Sequence, residues 1–164
     1  LLLPAAALAL ALLLAGLTRR YALAHALIDK PNERGSHSTD TPRGGGVGIA
    51  VTVLAGTAFL AQSGLIEQQL SYALLFGGAM IALIGWIDDH RHVGAGWRAL
   101  VHFIAAGWAL VQLGGIPTLA IGPWSLDLGL FGIPLGLLTI VWITNLYNFM
   151  DGIDGIAGSE GLFV

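Results

Sequence analysis

Five long apolar stretches alternate with shorter polar connections along the 164 residues of this chain. They span about residues 1–17, 47–64, 70–87, 99–113 and 130–144. A helix needs about 20 apolar residues, within a usable range of about 17–25, to cross the hydrocarbon core of a bilayer. Since several stretches are near or below that lower limit, we expect polar flanks to extend the helices. The pattern predicts an all-α fold: a polytopic membrane helical bundle with about five transmembrane helices.

Composition agrees with a membrane protein. Hydrophobic residues make up 55% of the chain and charged residues 10%, whereas soluble domains usually carry about 25% charged residues. The formal net charge of −3 gives no reason to expect a nucleic-acid partner. Because the chain has no cysteine, disulfides and thiolate metal sites are excluded, and any bound metal takes oxygen or imidazole ligands.

The first apolar stretch begins LLLPAAALAL and lacks an obvious small-residue cleavage site. Because further hydrophobic segments follow, we interpret it as a first membrane helix and not as a signal peptide. We expect residues 1–164 to form a single transmembrane domain that is the N-terminal part of a longer membrane protein.

The basic residues predict an orientation. All seven lie in the connections after the first and third stretches: Arg19, Arg20, Lys30, Arg34, Arg43, Arg91 and Arg98. The positive-inside rule places these two connections in the cytoplasm. Since the chain alternates through the membrane, the end of the fifth stretch returns to the same face. Residues 29–43, 88–98 and 145–154 are therefore predicted to converge on one cytoplasmic surface.

Adjacent carboxylates end the third stretch, where the sequence reads GWIDDH. Each of Asp88 and Asp89 would cost roughly 2.5–3.5 kcal/mol at the centre of a membrane helix. A solvated helix end is one interpretation of this pair. The other is a hard divalent cation, because Mg²⁺ commonly takes one or two carboxylates and completes its shell with water and substrate phosphate.

The sequence NLYNFMDGIDGIAG follows the fifth stretch. It places four polar residues at successive i,i+3 steps, which stay near one face of a helix: Asn145, Asn148, Asp151 and Asp154. An ordinary polar helix end with glycine stops has the same pattern. Amides and carboxylates together also suit the base and sugar of a nucleotide or the surroundings of a metal, and we favour that functional interpretation.

The first polar connection carries groups suited to an anion. Arg34, His37 and Arg43 could meet phosphates, and glycines 44–46 could offer backbone N–H groups. The simpler interpretation is that juxtamembrane arginines meet lipid headgroups and that His37 is a surface residue. We interpret the later histidines, His90, His92 and His102, as structural or interfacial.

These features describe a cytoplasm-facing site beside lipid, suited to moving a phosphorylated group from a soluble donor onto a lipid acceptor. An ion or proton transporter is an alternative, but it predicts acids near the bilayer midplane and not at one boundary. A non-catalytic membrane subunit would leave the asparagine and aspartate series without a purpose.

Three motifs in this order resemble the polyprenyl-phosphate N-acetylhexosamine-1-phosphate transferases, glycosyltransferase family 4. The first is D-x-P-x-x-R-x-x-H…P-R-G-G-G at residues 29–46. The second is the pair Asp88 and Asp89 with Arg98 following, and the third is N-x-x-N-F-M-D-G-x-D-G-x-A-G at residues 145–158. The resemblance spans about residues 17–161, nearly the whole chain.

The resemblance implies that undecaprenyl phosphate attacks the β-phosphate of a UDP-N-acetylhexosamine, with UDP-N-acetylglucosamine the first choice, and releases UMP. It implies Mg²⁺ as cofactor, with Mn²⁺ as an alternative. The expected location is the bacterial inner (cytoplasmic) membrane, with membrane lipids and a second copy of the chain as further partners. Family members have about ten or eleven membrane helices, so we expect residues 1–164 to be inactive on their own.

The resemblance also assigns site residues. The implied catalytic residues are Asp88, Asp89, Asp151 and Asp154, and the implied metal-site residues are Asp88, Asp89 and Asp154. The implied substrate-binding residues are Asn145, Asn148, Arg34, His37, Arg43 and Arg98. We expect Asp88 to act as base or positioning residue and Asp89 to hold metal. A base is not strictly needed, since the second pKa of a phosphate monoester is about 6.

Within the family, the P-R-G-G-G motif resembles that of the enzymes that initiate O-antigen or other envelope polysaccharides. The peptidoglycan-precursor enzyme more often has P-T-M-G-G there, and leucine-threonine in place of Phe149 and Met150. The peptidoglycan branch is therefore the alternative.

Overall fold

The computed structural model describes residues 2–29 and 40–150, apart from the side chains of residues 29, 121, 149 and 150. It contains five α-helices: α1 (Leu2–Ala24), α2 (Gly46–Gln62), α3 (Gln68–His90), α4 (Ala95–Leu113) and α5 (Gly132–Met150). These confirm the predicted helical bundle. As expected, polar flanks extend four of the five helices beyond their apolar stretches, and α3 continues through both aspartates of its C-terminal end.

Two short antiparallel hairpins join the helices. Strands β1 (Ile28–Asp29) and β2 (Thr41–Pro42) pair before α2, and β3 (Leu119–Ile121) pairs with β4 (Trp124–Leu126) between α4 and α5. A 3₁₀ turn, Gly129–Phe131, leads into α5. The sequence did not predict these strands, because two or three residues are too few to leave an alternating pattern.

The helices pack in chain order, so that each contacts the next, and α4 lies between α3 and α5. The apolar residues buried between them are mostly small, such as Ala22, Ala73, Ala105 and Ala106. Small residues let membrane helices approach closely. The closest such approach is at Gly48 of α2, where a Cβ atom would lie 2.9 Å from the backbone nitrogen of Ala15 in α1.

Within the described residues, three helical segments are long and apolar enough to cross a membrane: Leu2–Ala24, Gln68–His90 and Gly129–Asn148. Helix α2 is apolar but shorter, with 17 residues. Large apolar side chains cover the outside of the bundle, and Trp142 in the middle of α5 is 72% exposed. A continuous apolar exterior marks a surface that contacts lipid.

Candidate active site at one end of the bundle

The three polar motifs meet around one cavity of about 690 Å³. Its walls come from the segment that enters α2, from the C-terminal end of α3 and from the last turn of α5. The lining residues are Thr41, Pro42, Arg43, Gly44, Gly45, Gly46, Val47, Ile49, Ala50, Ala82, Gly85, Trp86, Asp88, Asp89 and Asn148. The predicted convergence of the motifs is therefore confirmed for the residues that the structure describes.

Backbone hydrogen bonds fix the wall before α2. The N–H group of Arg43 donates to Leu27 O at 2.9 Å, and Pro42 pairs with Ile28 across the hairpin. Gly44 then takes φ +90°, which a residue with a Cβ adopts only under strain. Helix α2 starts at Gly46, so the N–H groups of its first turn lie at the edge of the cavity; that of Val47 donates to Gly44 O at 3.2 Å, and the others have no acceptor within the helix. Together with Arg43, this positive helix end favours an anion.

Asp88 is held by two donors. The Val93 N–H donates to Asp88 Oδ1 at 2.8 Å, and Arg98 Nη1 donates to Oδ2 at 2.9 Å. The first bond closes the connection between α3 and α4, and the second ties the carboxylate to the first turns of α4. The two bonds fix the orientation of the Asp88 carboxylate where it lines the cavity.

Arg98 was predicted to bind substrate. In the structure its guanidinium binds Asp88, and it is not among the residues that line the cavity. Its direct role toward substrate stays a prediction, whereas its contact with Asp88 gives it a second way to influence the site.

The carboxylate pair fits a divalent cation. Within residues 2–29 and 40–150, no three His, Asp or Glu side chains cluster as a metal site. A cation at Asp89 and Asp88 would therefore take its remaining ligands from water, from substrate phosphate or from residues outside the described ranges. This combination of one or two carboxylates with phosphate and water is the usual one for Mg²⁺.

The two asparagines of α5 have different surroundings. Asn148 lines the cavity, one helical turn after Asn145. The Asn145 amide Nδ2 donates to Val141 O at 2.8 Å and lies 3.2 Å from His102 Nδ1 of α4. His102 is buried, at 7% exposed.

The sequence pattern predicted only a structural or interfacial role for His102 and did not predict this contact. The spacing of four residues places His102 on the same helix face as Arg98, but it does not indicate which helix His102 contacts.

Four predicted site residues lie outside the described residues: Arg34, His37, Asp151 and Asp154. Their assigned roles stay predictions.

An aromatic cluster stands beside the cavity. Tyr21 of α1 stacks on His25 with ring centroids 4.1 Å apart, and the Trp86 ring lies 4.4 Å from that of His90 in α3. The Tyr21 hydroxyl oxygen lies 3.5 Å from His90 Nε2, within hydrogen-bond distance, and this contact joins α1 to α3. These contacts give His90 a structural role between α1 and α3.

The cavity thus combines a helix N-terminus, a carboxylate pair and an amide with apolar surface from Val47, Ile49 and Trp86. The fold and the site define a helical membrane protein whose polar site at one end of the bundle suits phosphorylated ligands and a divalent cation.

Comparison with known proteins identifies the family. Residues 71–164 match the model of Glycosyl transferase family 4, so the chain belongs to that family. The chain is 31% identical over 146 residues, 85% of its length, to the undecaprenyl-phosphate alpha-N-acetylglucosaminyl 1-phosphate transferase of Yersinia pestis. It is 30% identical over 152 residues, 89% of its length, to the probable undecaprenyl-phosphate N-acetylglucosaminyl 1-phosphate transferase of Bacillus subtilis.

A third relative is the decaprenyl-phosphate N-acetylglucosaminephosphotransferase of Mycobacterium tuberculosis, 37% identical over 147 residues and 80% of this chain. The aligned regions cover 38%, 40% and 35% of these three relatives, so the chain spans less than half of their length. No solved structure matches the chain.

Proposed function

We propose that this chain forms part of a membrane phosphotransferase that moves N-acetylhexosamine 1-phosphate from a UDP-sugar to undecaprenyl phosphate, with UDP-N-acetylglucosamine as the first-choice donor. The observation that carries the proposal is the single cavity in which Arg43, the Asp88–Asp89 pair and Asn148 meet. The names of the relatives support both the lipid acceptor and the sugar. The product would initiate O-antigen or another envelope polysaccharide.

The lipid acceptor fits the α2 side of the cavity. Its phosphate would lie at Arg43 and the first-turn N–H groups of α2, where a helix N-terminus favours negative charge. Its hydrocarbon chain would leave along Val47 and Ile49, which continue the cavity wall toward the apolar exterior of α2. This placement puts the attacking phosphate oxygen across the cavity from the carboxylates of α3.

The reaction follows from that placement. An oxygen of the lipid phosphate forms a bond to the β-phosphorus of the UDP-sugar, and the bond from that phosphorus to the bridging oxygen breaks. UMP leaves with the bridging oxygen, and the sugar phosphate stays on the lipid as a diphosphate. When bound at Asp89 and Asp88, Mg²⁺ would neutralise charge on the transferred phosphoryl group. Asn148 would bind polar groups of the donor.

Asp88 fits a positioning role better than that of a general base. Both of its oxygens accept hydrogen bonds, from Val93 N and from Arg98 Nη1. A lipid phosphate that is already largely ionised near neutral pH needs no proton removed before it attacks. Asp88 would therefore orient the α3–α4 connection and the neighbouring Asp89.

The cavity end of the bundle would face the cytoplasm of a bacterial inner membrane. Arg19, Arg20 and Arg91 lie near this end, whereas residues 63–67 and 114–131, which connect the helices at the other end, contain no Lys or Arg. The positive-inside rule supports this orientation. It also gives a soluble nucleotide sugar access to the cavity.

The test uses the full-length gene product in membranes. Labelled UDP-N-acetylglucosamine, undecaprenyl phosphate and Mg²⁺ are supplied, and labelled lipid and released UMP are measured for wild type, Asp88→Asn and Asp151→Asn. Asp127→Asn makes the same chemical change near the opposite end of the bundle and serves as control. We expect Mg²⁺-dependent transfer in wild type and control and loss in the other two. No transfer from any UDP-N-acetylhexosamine by folded protein with Mg²⁺ would overturn the proposal and favour transport.

A further inference from the structure

Helix α4 holds the two polar walls of the site together without lining the cavity itself. No described residue of α4 lines the cavity, yet the helix packs against both α3 and α5. Two of its side chains, four residues apart, carry polar contacts to these neighbours. Arg98 binds Asp88 of α3 at 2.9 Å, and His102 contacts Asn145 of α5 at 3.2 Å.

The contact between α4 and α5 fixes which atoms face each other. Val141 O can only accept a hydrogen bond, so the Asn145 amide atom 2.8 Å from it must be the NH₂ group. The same nitrogen lies 3.2 Å from His102 Nδ1. Because this NH₂ group donates to both partners, His102 Nδ1 must be the unprotonated ring nitrogen. The imidazole is therefore neutral, with its proton on Nε2.

This arrangement restricts the Asn145 carboxamide. A flipped amide would place Oδ1 against Val141 O and would give two acceptors facing each other. Oδ1 is accordingly held away from both the helix backbone and His102, one turn before the cavity residue Asn148. Asn145 does not itself line the cavity, but a fixed carboxamide also fixes the turn of α5 that carries Asn148, and a preorganised group loses less conformational freedom when a ligand binds.

We propose that His102 is a positioning residue for the donor-binding side of the site, acting through Asn145; this inference rests on the proposed function. Its hydrogen bond fixes the carboxamide of Asn145 and the rotation of the last turns of α5. Through Arg98, the same face of α4 fixes Asp88. Helix α4 thereby sets the separation between the carboxylates of α3 and the amides of α5.

The first experiment compares two substitutions in the full-length enzyme. Leucine fills much of the histidine volume but accepts no hydrogen bond, whereas glutamine offers Oε1 as an acceptor for the Asn145 amide. We expect His102→Leu to raise the KM for the UDP-sugar about tenfold, as for one lost hydrogen bond beside a buried group, with a smaller change in kcat. His102→Gln should restore a KM close to wild type.

Trp108→Phe provides the matched control. Trp108 Nε1 also makes an interhelical hydrogen bond from α4, to Tyr72 O at 2.9 Å, but toward the opposite end of the helix. The Trp108→Phe variant should leave the KM for the UDP-sugar near the wild-type value. An unchanged KM in His102→Leu, or an equal rise in Trp108→Phe, would overturn the proposal, since the contact would then have no specific link to the site.

A second readout does not depend on activity. In wild-type protein with ¹⁵N-labelled histidine, NMR should show His102 Nδ1 unprotonated and accepting a hydrogen bond, and Asn145→Ala should remove that bond. A protonated Nδ1 would overturn the assigned geometry. If Nδ1 is unprotonated as expected while the wild-type enzyme transfers no sugar phosphate, the proposed function fails, and with it the substrate role of His102.

Discussion

The two ends of the bundle each contain a cavity, and their walls differ in chemistry. The cavity at the C-terminal end of α3 is lined by Arg43, two aspartates and Asn148 together with glycines and apolar residues. The cavity at the opposite end, about 460 Å³ between α4 and α5, is lined only by glycines and by the side chains Leu110, Val111, Ile116, Ile133 and Leu137. Polar groups therefore distinguish the first cavity from the second.

The ends also differ in how their polar side chains are held. At the first end, Asp88 accepts from Val93 and Arg98, and Asn145 bridges to His102, so that α3, α4 and α5 are linked. At the opposite end, Asp127 caps its own turn by accepting from the Gly129 N–H at 2.9 Å, and it makes no link to another helix in the described part of the chain. A carboxylate linked across helices is suited to precise placement of a ligand, whereas one that caps a local turn stabilises only that turn.

The largest expected effect comes from exchanging one carboxylate at the first end. Asp89→Asn keeps the shape of the side chain but removes the charge that would hold Mg²⁺. We expect kcat/KM for transfer to fall by at least about a hundredfold, since a metal ion supplies several kcal/mol of charge stabilisation. Transfer is measured over a Mg²⁺ titration.

Asp127→Asn is the comparison at the other end and should transfer sugar phosphate at nearly the wild-type rate. Equal losses of transfer activity in Asp89→Asn and Asp127→Asn would show that the two ends of the bundle do not differ in function.

The next largest effect is on stability, and we expect it from crowding the close contact between α1 and α2. A Cβ atom at Gly48 would lie 2.9 Å from a backbone nitrogen of α1, and backbone atoms move less readily than side-chain tips. Gly48→Ala should therefore destabilise the fold by about 1–3 kcal/mol, as overpacking does. The measurement is thermal unfolding in detergent.

Gly136→Ala tests a similarly close approach toward the opposite end. There the added Cβ would lie 2.9 Å from Ile116 Cδ1, the flexible tip of a side chain. We expect a smaller loss of thermal stability than for Gly48→Ala. Gly56→Ala, where a Cβ would meet nothing within 4 Å, is the control that changes helix propensity without crowding. A larger loss at Gly136 than at Gly48 would contradict the argument from backbone rigidity.

Substitution of Arg98 should affect activity more than stability. The Asp88–Arg98 pair is partly exposed, with side chains 24% and 35% accessible, so breaking it should cost at most about 1 kcal/mol of folding free energy. Arg98→Met should nevertheless lower kcat/KM about tenfold, because a charge-assisted hydrogen bond that orients Asp88 is lost.

Arg98→Lys keeps the charge and should retain part of the activity. Unfolding temperatures and kcat/KM are measured on the same preparations. A large fall in unfolding temperature with Arg98→Met would show that the pair stabilises the fold and does not chiefly orient the site.

The sequence was sufficient to predict the helices and, for the described residues, the meeting of the three motifs around one cavity. Runs of apolar residues predicted all five helices, and the distribution of arginines and lysine predicted which ends would share a face. The contacts within the site could not be predicted, because they depend on the rotation of each helix about its axis. Asp88 and Arg98 are separated by ten positions and a connection, and the i,i+4 spacing of Arg98 and His102 does not specify the neighbouring helices that they contact.

The smallest expected effect lies on the hairpin at the opposite end. Trp124 of β4 is 77% exposed, and an aromatic ring in that position is typical of a membrane–water interface. In the described part of the chain the Trp124 side chain makes no hydrogen bond, and it lies on the far side of the bundle from the cavity. We expect kcat/KM and unfolding temperature of Trp124→Ala to stay near wild type, with the free energy of unfolding within about 0.5 kcal/mol, as for most surface substitutions. Transfer assays in native membranes and in detergent would separate an effect of Trp124 on the orientation of the bundle in lipid from an effect on the site itself. A loss seen only in membranes would show that the hairpin orients the bundle in lipid, whereas a loss in both media would mean that the opposite end communicates with the site and that the two ends are not independent.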